Sequence, residues 1–371
     1  MDTDTLWNFV DGERVTPQRV DYHDVIDPCT AEPYLRAPSS GAGDVDAAMR
    51  AAAAGFGRWR STTPAERQLA LLRIADELER RADEFTAAEV RNTGNRVASD
   101  VALVVDQLRF FAGAARLLEG KSAAEYVPDH TSYVRREPVG VCAQLAPWNY
   151  PLMMAVLKAA PAIAAGNSVV LKPAETTPIT ALMFAELAAE YLPAGVLNVL
   201  CGDDEAGRHM VAHPEPGLVS LTGSVETGID VATTSAAHVK RLHLELGGKT
   251  PVIVFPDADL TAVTATLIEA GFGNAGQDCT AAARVLAHDA VYDDLLDALA
   301  AAARSWRGRG RPGGARGGGA GGNTPPRRRG ERFRPRGPPR PGGGAGPAGG
   351  PNSGPPGGRR TAPRSPRRPR W

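Results

Sequence analysis

Cysteine is scarce in this chain of 371 residues. Four are present, Cys29, Cys142, Cys201 and Cys279, and no two form a Cys-x-x-Cys pair. That excludes a disulfide scaffold or a zinc ribbon and suits a reducing compartment. Long apolar runs are missing too. Stretches such as Pro161 to Ala165 fall far short of the roughly 20 residues a membrane span needs. The opening MDTDTLWNFVDGERV has two acids in its first four residues and no apolar h-region. No signal peptide is expected, and the body of the chain is expected to be soluble and cytoplasmic.

Net charge is also absent, 42 basic groups matching 42 acidic ones, but the zero is an average over two unlike parts. From Arg304 to Trp371 there are 18 Arg, no Lys and a single acid, Glu331, so this stretch carries +17 and the preceding 303 residues −17. The same 68 residues hold 20 Gly and 14 Pro and no Leu, Ile, Val or Met. Such a composition buries too little apolar surface to offset chain entropy, and disorder is expected for 304–371.

The acidic part has the size of two domains. Thr63-Pro64-Ala65-Glu66 reads as a capping box with proline at the first helical position. The helix it opens aligns Leu71, Ile74 and Leu78, and a second amphipathic helix is expected from about Ser99 to Glu119. Strand-like runs follow at Thr131 to Arg136 and Val139 to Leu145. Beyond them strands and helices alternate: Ser168 to Lys172 extended, Thr180 to Tyr191 helical, Leu197 to Leu200 extended, Glu205 to Ala212 helical. Further extended runs lie at Leu218 to Leu221, Arg241 to Leu244 and Val252 to Phe255. This alternation predicts an α/β fold with a parallel sheet, whose ligands bind beyond the carboxyl ends of the strands.

Five loops at such ends hold unusual residues: Ala146-Pro147-Trp148-Asn149-Tyr150-Pro151, Leu171-Lys172-Pro173-Ala174-Glu175, Leu221-Thr222-Gly223-Ser224, Leu244-Glu245-Leu246-Gly247-Gly248 and Gly276-Gln277-Asp278-Cys279. Taken singly, each has a plainer reading: an inert thiol, a solvated turn carboxylate, a surface lysine. His209 and His213 are spaced to share a helix face, but no acid follows His209 as a zinc-protease pattern requires, and no metal site is expected.

Together, in this order and spacing, PWNYPLMM, LKPAETTP, SLTGSVETG, LELGGKTPVIVF and NAGQDCTA resemble the NAD(P)-dependent aldehyde dehydrogenase family, closest to its aminoaldehyde (γ-aminobutyraldehyde) branch. The resemblance runs from about Leu6 to Ala303. It implies a Rossmann-type parallel-sheet cofactor domain over 1–126 and 147–246, an oligomerisation arm over 127–146, and a truncated α/β catalytic domain over 247–303.

The resemblance also implies a chemistry. Cys279 adds as thiolate to the aldehyde carbonyl, the Asn149 amide and the Cys279 N–H stabilise the oxyanion, and Glu245 activates water to hydrolyse the thioester. Lys172 and Glu175 match the pair that holds the adenine ribose hydroxyls, and a carboxylate at Glu175 favours NAD over NADP. Gly223 and Ser224 approach the pyrophosphate, Gly202 and Gly207 line the adjoining loop, and Pro147, Trp148 and Leu246 pack toward the nicotinamide half. Tyr150, Met154 and Leu157, at i, i+4 and i+7 of the helix opened by Pro151, line the substrate channel, with ordinary helix packing as the alternative. Asp278 attracts the ammonium of an aminoaldehyde, or else stabilises its turn. A homo-oligomer acting on a small aldehyde is implied, with neither membrane nor nucleic acid as partner.

Members of the family continue well beyond the cysteine loop, through a Glu-x-Phe-Gly-Pro stretch that this sequence lacks. The resemblance gives way to the Arg/Gly/Pro segment inside a helix running from Val291. Domain boundaries fall in linkers, so a shifted reading frame is expected from residue 304, leaving the polypeptide unstable and without turnover. The competing reading is a non-catalytic, nucleic-acid-binding or regulatory derivative that uses the basic segment. Against it, that segment has one Phe, no Tyr and no regular repeat for base stacking.

Overall fold

The computed structural model describes residues 4–19, 21–95 and 101–306. The segment 307–371 lies outside the described residues, and with it most of the stretch expected to be disordered. The helix expected from Val291 is observed through Ser305, so the compositional break at 304 falls in its last turn.

Strands β1 (Asn8–Val10) and β2 (Glu13–Val15) are joined by Asp11-Gly12, both with positive φ as a two-residue hairpin requires. A second hairpin pairs β3 (Tyr22–Asp27) with β4 (Glu32–Pro38). Four helices follow: α1 (Ala42–Trp59), α2 (Pro64–Arg80), α3 (Ala82–Thr93) and α4 (Val101–Ala114). The capping box at Thr63 forms as expected: its hydroxyl accepts from the Glu66 N–H at 3.3 Å and the Glu66 carboxylate accepts from the Thr63 N–H at 2.6 Å. Next comes an exposed hairpin, β5 (Lys121–Val127) with β6 (His130–Val134).

The alternating part then runs β7 (Val141–Leu145), α5 (Pro151–Ala164), β8 (Ser168–Lys172), α6 (Ile179–Ala189), β9 (Leu197–Val199), α7 (Asp204–Ala212), β10 (Leu218–Gly223), α8 (Val225–Ser235) and β11 (Arg241–Leu246). A smaller unit closes the described chain: β12 (Pro251–Val254), α9 (Leu260–Phe272), β13 (Arg284–Ala287) and α10 (Tyr292–Ser305).

One seven-stranded sheet has the order β11-β10-β7-β8-β9-β1-β2, in which β7 to β11 are parallel and β1 joins β9 antiparallel. Its central strands β7, β8 and β9 are buried on both faces, and the period of two assigns each residue to a layer. In β8, Val169 and Leu171 pack with α2, α4, α5 and α6, while Val170 packs with Val45, Met49 and Ala52 of α1, Met210 of α7 and Val231 of α8. The small unit has its own core of Val254, Leu267, Val291 and Leu295, with Ile253, Phe255 and Leu286 exposed.

Two expectations change. The segment 127–146 is not one element: the hairpin spans Lys121–Val134, and Val141–Leu145 is a buried strand in the middle of the sheet. Strands β10 and β11 run two residues further than their apolar runs. Thr222 and Gly223 pair in register with Glu245 and Leu246, so Glu245 sits on a strand and not in a loop.

Helix α1 crosses the turn before β9 at Gly55. A Cβ there would lie 2.3 Å from the Gly195 carbonyl carbon and 2.7 Å from the Val196 nitrogen, both backbone atoms. Gly55→Ala is expected to lower the unfolding free energy by about 3 kcal/mol, an overpacking cost without side-chain relief. An unchanged denaturant midpoint would show that the helix can shift.

Candidate active site

The order of the parallel strands reverses between β7 and β10. The connections from β7 run outward through β8 and β9, then return to β10 on the other side of β7. At such a switch point the loops diverge and leave a crevice at the strands' carboxyl ends. A cleft of about 590 Å³ opens there. Leu145, Ala146, Pro147 and Trp148 line it after β7, Lys172, Ala174 and Glu175 after β8, and Leu221, Thr222 and Gly223 at the end of β10.

Three features of its floor suit an anionic ligand. The Lys172 ammonium is buried, 6 % exposed, and burial lowers its pKa, offset in part by Glu175. Among the described residues it donates only to the adjacent Pro173 carbonyl at 3.2 Å, so donors remain for a ligand. The Thr222 hydroxyl is buried without a hydrogen-bond partner among the described residues. Ser224 caps α8, accepting from the Thr227 N–H at 3.0 Å, and Thr227 lines the cleft from the first turn of that helix, the end that favours an anion. Gly207 adds room: a Cβ would meet Leu145 Cδ2 at 3.2 Å and Lys172 Cε at 3.7 Å.

Pro147, Trp148, Lys172, Glu175, Gly207 and Gly223 line the cleft together, whereas Gly202, Ser224 and Leu246 do not line it. Gly202 is buried with φ +152°, and a Cβ would stand 2.7 Å from Ala206 Cβ and 3.3 Å from the Ser40 nitrogen. Its glycine serves the turn into α7. Leu246 packs on α8, where a Cβ at Gly228 would meet its Cδ1 at 2.7 Å. Asp204, Arg208, Thr227, Asp230 and Thr234, which carry no site signal in the sequence, also line the cleft from α7 and α8.

The cysteine loop is built on an uncommon backbone. Asn274, Ala275 and Gly276 have φ of 49°, 57° and 77°, three successive left-handed residues that reverse the chain after α9. For Ala275 this conformation costs roughly 1–2 kcal/mol, so the surroundings must hold it. Asn274 does so. It is 1 % exposed, its amide donates to the Gln277 carbonyl at 2.9 Å and the Asn149 carbonyl at 3.1 Å, and its carbonyl accepts from Asn95.

The Asn149 amide donates to the same Gln277 carbonyl at 2.9 Å, so Asn149 and the Cys279 loop are tied together across 128 residues. Cys279 is exposed, whereas Cys142 and Cys201 are buried and their thiols pushed up to about 12 by burial.

Tyr150, the N-cap of α5, donates its hydroxyl to Asp278 Oδ2 at 2.8 Å. Asp278 Oδ1 accepts from the Thr280 N–H at 2.6 Å and hydroxyl at 2.7 Å. Burial works to raise the Asp278 pKa, but these donors outweigh it and hold the carboxylate below its ordinary value. Burial, then the bond to Asp278, push Tyr150 up. Met154 is half-buried against the main core, the ordinary packing that was the alternative for it, while Leu157 is half-buried outside that cluster.

Glu245 stands apart from this group. Its carboxylate lies 3.3 Å from His243 Nε2, and His243 Nδ1 faces the Ser220 hydroxyl at 3.1 Å. Ser220 accepts from the buried Lys158 ammonium at 2.9 Å, whose pKa burial lowers to about 8 against the attraction of Glu245. Among the described residues no hydrogen bond joins Glu245 to Cys279. His209 and His213 diverge, the first 3.4 Å from Glu205 and the second 3.4 Å from Asp46.

The fold is an α/β sheet with a cleft at its switch point, and the loop that follows β7 from that cleft is tied to an exposed thiol loop. The aldehyde dehydrogenase family model matches residues 15–313, so the match starts later than Leu6 and extends ten residues past Ala303. The chain belongs to the aldehyde dehydrogenase family. It is 38 % identical over 311 residues to the 2-aminomuconic semialdehyde dehydrogenase of Homo sapiens, covering 81 % of this chain and 63 % of that protein. The chain therefore spans less than two thirds of its relative's length. Among solved structures, PnpE in complex with nicotinamide adenine dinucleotide superposes with a TM-score of 0.79 at 37 % identity, over 81 % of this chain and 63 % of that one. A betaine aldehyde dehydrogenase point mutant from Staphylococcus aureus, in complex with NAD+, gives 0.79 at 34 % identity, over 81 % and 62 %.

Proposed function

We propose that the protein oxidises an ω-aminoaldehyde to the carboxylic acid, with NAD as acceptor and Cys279 as nucleophile. The observation that carries this reading is the tie between the Cys279 loop and Asn149, the residue after Trp148 of the cleft wall. Cys279 adds to the carbonyl and forms a thiohemiacetal, while the Asn149 N–H not used by Gln277, with the Cys279 N–H, faces the developing oxyanion. NAD, held by Lys172, Glu175 and the start of α8, supplies the hydride acceptor when bound. Glu245 takes a proton from the water that releases the acid from the Cys279 thioester. Its exposure and its contact with His243 support a role as acceptor of that proton.

The cleft's charges favour NAD over NADP. Glu175, Asp204 and Asp230 outnumber Lys172 and Arg208, which disfavours a 2′-phosphate. The division into a cofactor part ending at Leu246, a catalytic part beyond it and an oligomerisation arm is part of the same reading. Tyr126 and Tyr133, exposed on the β5–β6 hairpin, support the arm as a contact between copies. No described helix is long and apolar enough to cross a membrane. The exposed Cys279 thiol supports a reducing, cytoplasmic setting.

Substrate class rests on Asp278, a carboxylate next to the nucleophile in sequence and kept ionised by Thr280 and Tyr150. Asp278→Ala is expected to weaken capture of 4-aminobutyraldehyde by about tenfold, on the scale of a hydrogen bond to a charged group, and that of butyraldehyde much less. Equal losses for the two aldehydes would leave Asp278 its turn-capping role alone. Measured covalent capture by Cys279 with each aldehyde makes the comparison.

A further inference from the structure

Three polar side chains of α3 and the turn after it each end on a different loop of the site. Glu89 is fully buried: one carboxylate oxygen accepts from the Leu152 N–H at 3.1 Å, the other from the Thr180 hydroxyl at 2.5 Å. Asn92, one turn on and 2 % exposed, donates to the Thr176 carbonyl at 2.9 Å and accepts from the Ile179 N–H at 3.4 Å, beside the Lys172–Glu175 loop. Asn95 donates to Asn274, the residue that holds the cysteine loop.

Glu89 has the most unusual position. Tyr150, the N-cap of α5, makes no side-chain capping bond, so the orphan N–H of Leu152 takes its partner from a different helix, 63 residues back. The first turn of α5 directly follows Asn149, so whatever fixes that turn fixes the amide.

We propose that Glu89 is a positioning residue for Asn149, a buried carboxylate that clamps the first turn of α5 and so sets the amide against the Cys279 loop. The catalytic meaning of the clamp rests on the function proposed above. The clamp itself is a statement about structure and is tested without turnover.

No cation among the described residues pairs with Glu89: the charged groups on the surrounding elements are engaged elsewhere, face water or, for Arg67, are buried against Gly166. Lys158 of α5 donates to Ser220, Glu186 of α6 pairs with Arg14, and Arg109 of α4 pairs with Asp76 and Glu79 of α2. On α3 itself, Arg91 stacks on Tyr34. On β3, His23 bonds Ser39 and the Glu175 carbonyl, and Asp27 accepts from the Cys29 N–H. Arg67 of α2 is buried at Gly166, and Arg73, Asp106 and Asp24 are exposed. Burial therefore dominates and raises the carboxyl to about 7, against the bonds from Thr180 and Leu152. Below that value Glu89 is neutral and its hold on the Leu152 N–H weakens; above it the clamp is charged and strong. For stability the sign is the reverse. The folded carboxyl holds its proton more tightly than the unfolded one, so stability falls as pH rises from 4.5 to about 7.

The test is fluorine NMR of the full 371-residue chain carrying 5-fluorotryptophan at its five Trp positions, the Trp148 resonance being assigned by loss in Trp148→Phe. The Trp148 resonance is expected to titrate with a midpoint near 7. Glu89→Gln should remove that titration, and Thr180→Val, which deletes a donor to the carboxylate, should move its midpoint upward. A titration that survives in Glu89→Gln would belong to Lys158 or another neighbour and overturn the proposal, as would a Trp148 resonance flat between pH 5 and 9. If Glu89→Gln fails to fold, the direction of the Thr180→Val shift decides. No result here depends on acylation of Cys279, so failure of the clamp and failure of the aldehyde reading are told apart.

Discussion

Cys279→Ala is expected to abolish covalent capture of an aldehyde-derived acyl group, a loss of at least ~10³-fold against the unsubstituted chain, the scale on which nucleophile removal acts. The control lies within the same protein. Cys29 is the other exposed thiol, while Cys142 and Cys201 are buried and pushed up to about 12. Alkylating agents should therefore reach Cys29 as well as Cys279, but only Cys279 has Asn149 tied to its loop to receive an oxyanion. Acyl transfer that persists in Cys279→Ala and disappears in Cys29→Ala would place the chemistry on the wrong loop.

Lys172→Ala is expected to weaken NAD binding by roughly 10- to 100-fold, the loss of a charge-assisted hydrogen bond worth about 1.5–3 kcal/mol. Its effect on folding should be small and of opposite sign. The ammonium is 6 % exposed and, among the described residues, has only the Pro173 carbonyl as partner, so removing it relieves a buried charge. Calorimetric titration with NAD, alongside a thermal melt, separates the two effects. Unchanged affinity with a raised melting temperature would mean that Lys172 is structural and the nucleotide lies elsewhere.

The positions of the loops were legible because they follow strands with strong local signals. Ser168–Lys172 is β-rich and sharply bounded, and its observed limits coincide with the expected ones. The capping box at Thr63 is likewise encoded within four residues. Strand ends were harder where polar residues continue a parallel ladder. Thr222 and Glu245 break the apolar run, yet they stay paired because their neighbours across β10 and β11 hold the register. From its polar side chain alone Glu245 reads as a loop residue.

The residues missed altogether depend on distance along the chain. Glu89 acts 63 residues ahead on α5, Asn274 acts 125 residues back on Asn149, and Lys158 reaches Ser220 across 62. Lys158 did leave a trace, as the lone charge in the apolar helix PLMMAVLKAAPAIA. Glu89 left none, since a glutamate on an amphipathic helix ordinarily faces water. The far wall of the cleft was hidden for a similar reason. Asp204, Arg208, Asp230 and Thr234 read as the polar faces of surface helices until the sheet brings α7 and α8 together.

The central claim is that Cys279, set beside a nucleotide cleft, is where an aldehyde is oxidised. It is tested most directly by mixing the purified chain with excess NAD and 4-aminobutyraldehyde, quenching with acid, and mapping acylated peptides by mass spectrometry against NADH formed. The account predicts an acyl group on the peptide containing Cys279, with at least one NADH for each acyl and none when NAD is omitted. An unmodified Cys279 peptide alongside NADH formation, or an acyl group on another cysteine, would contradict it.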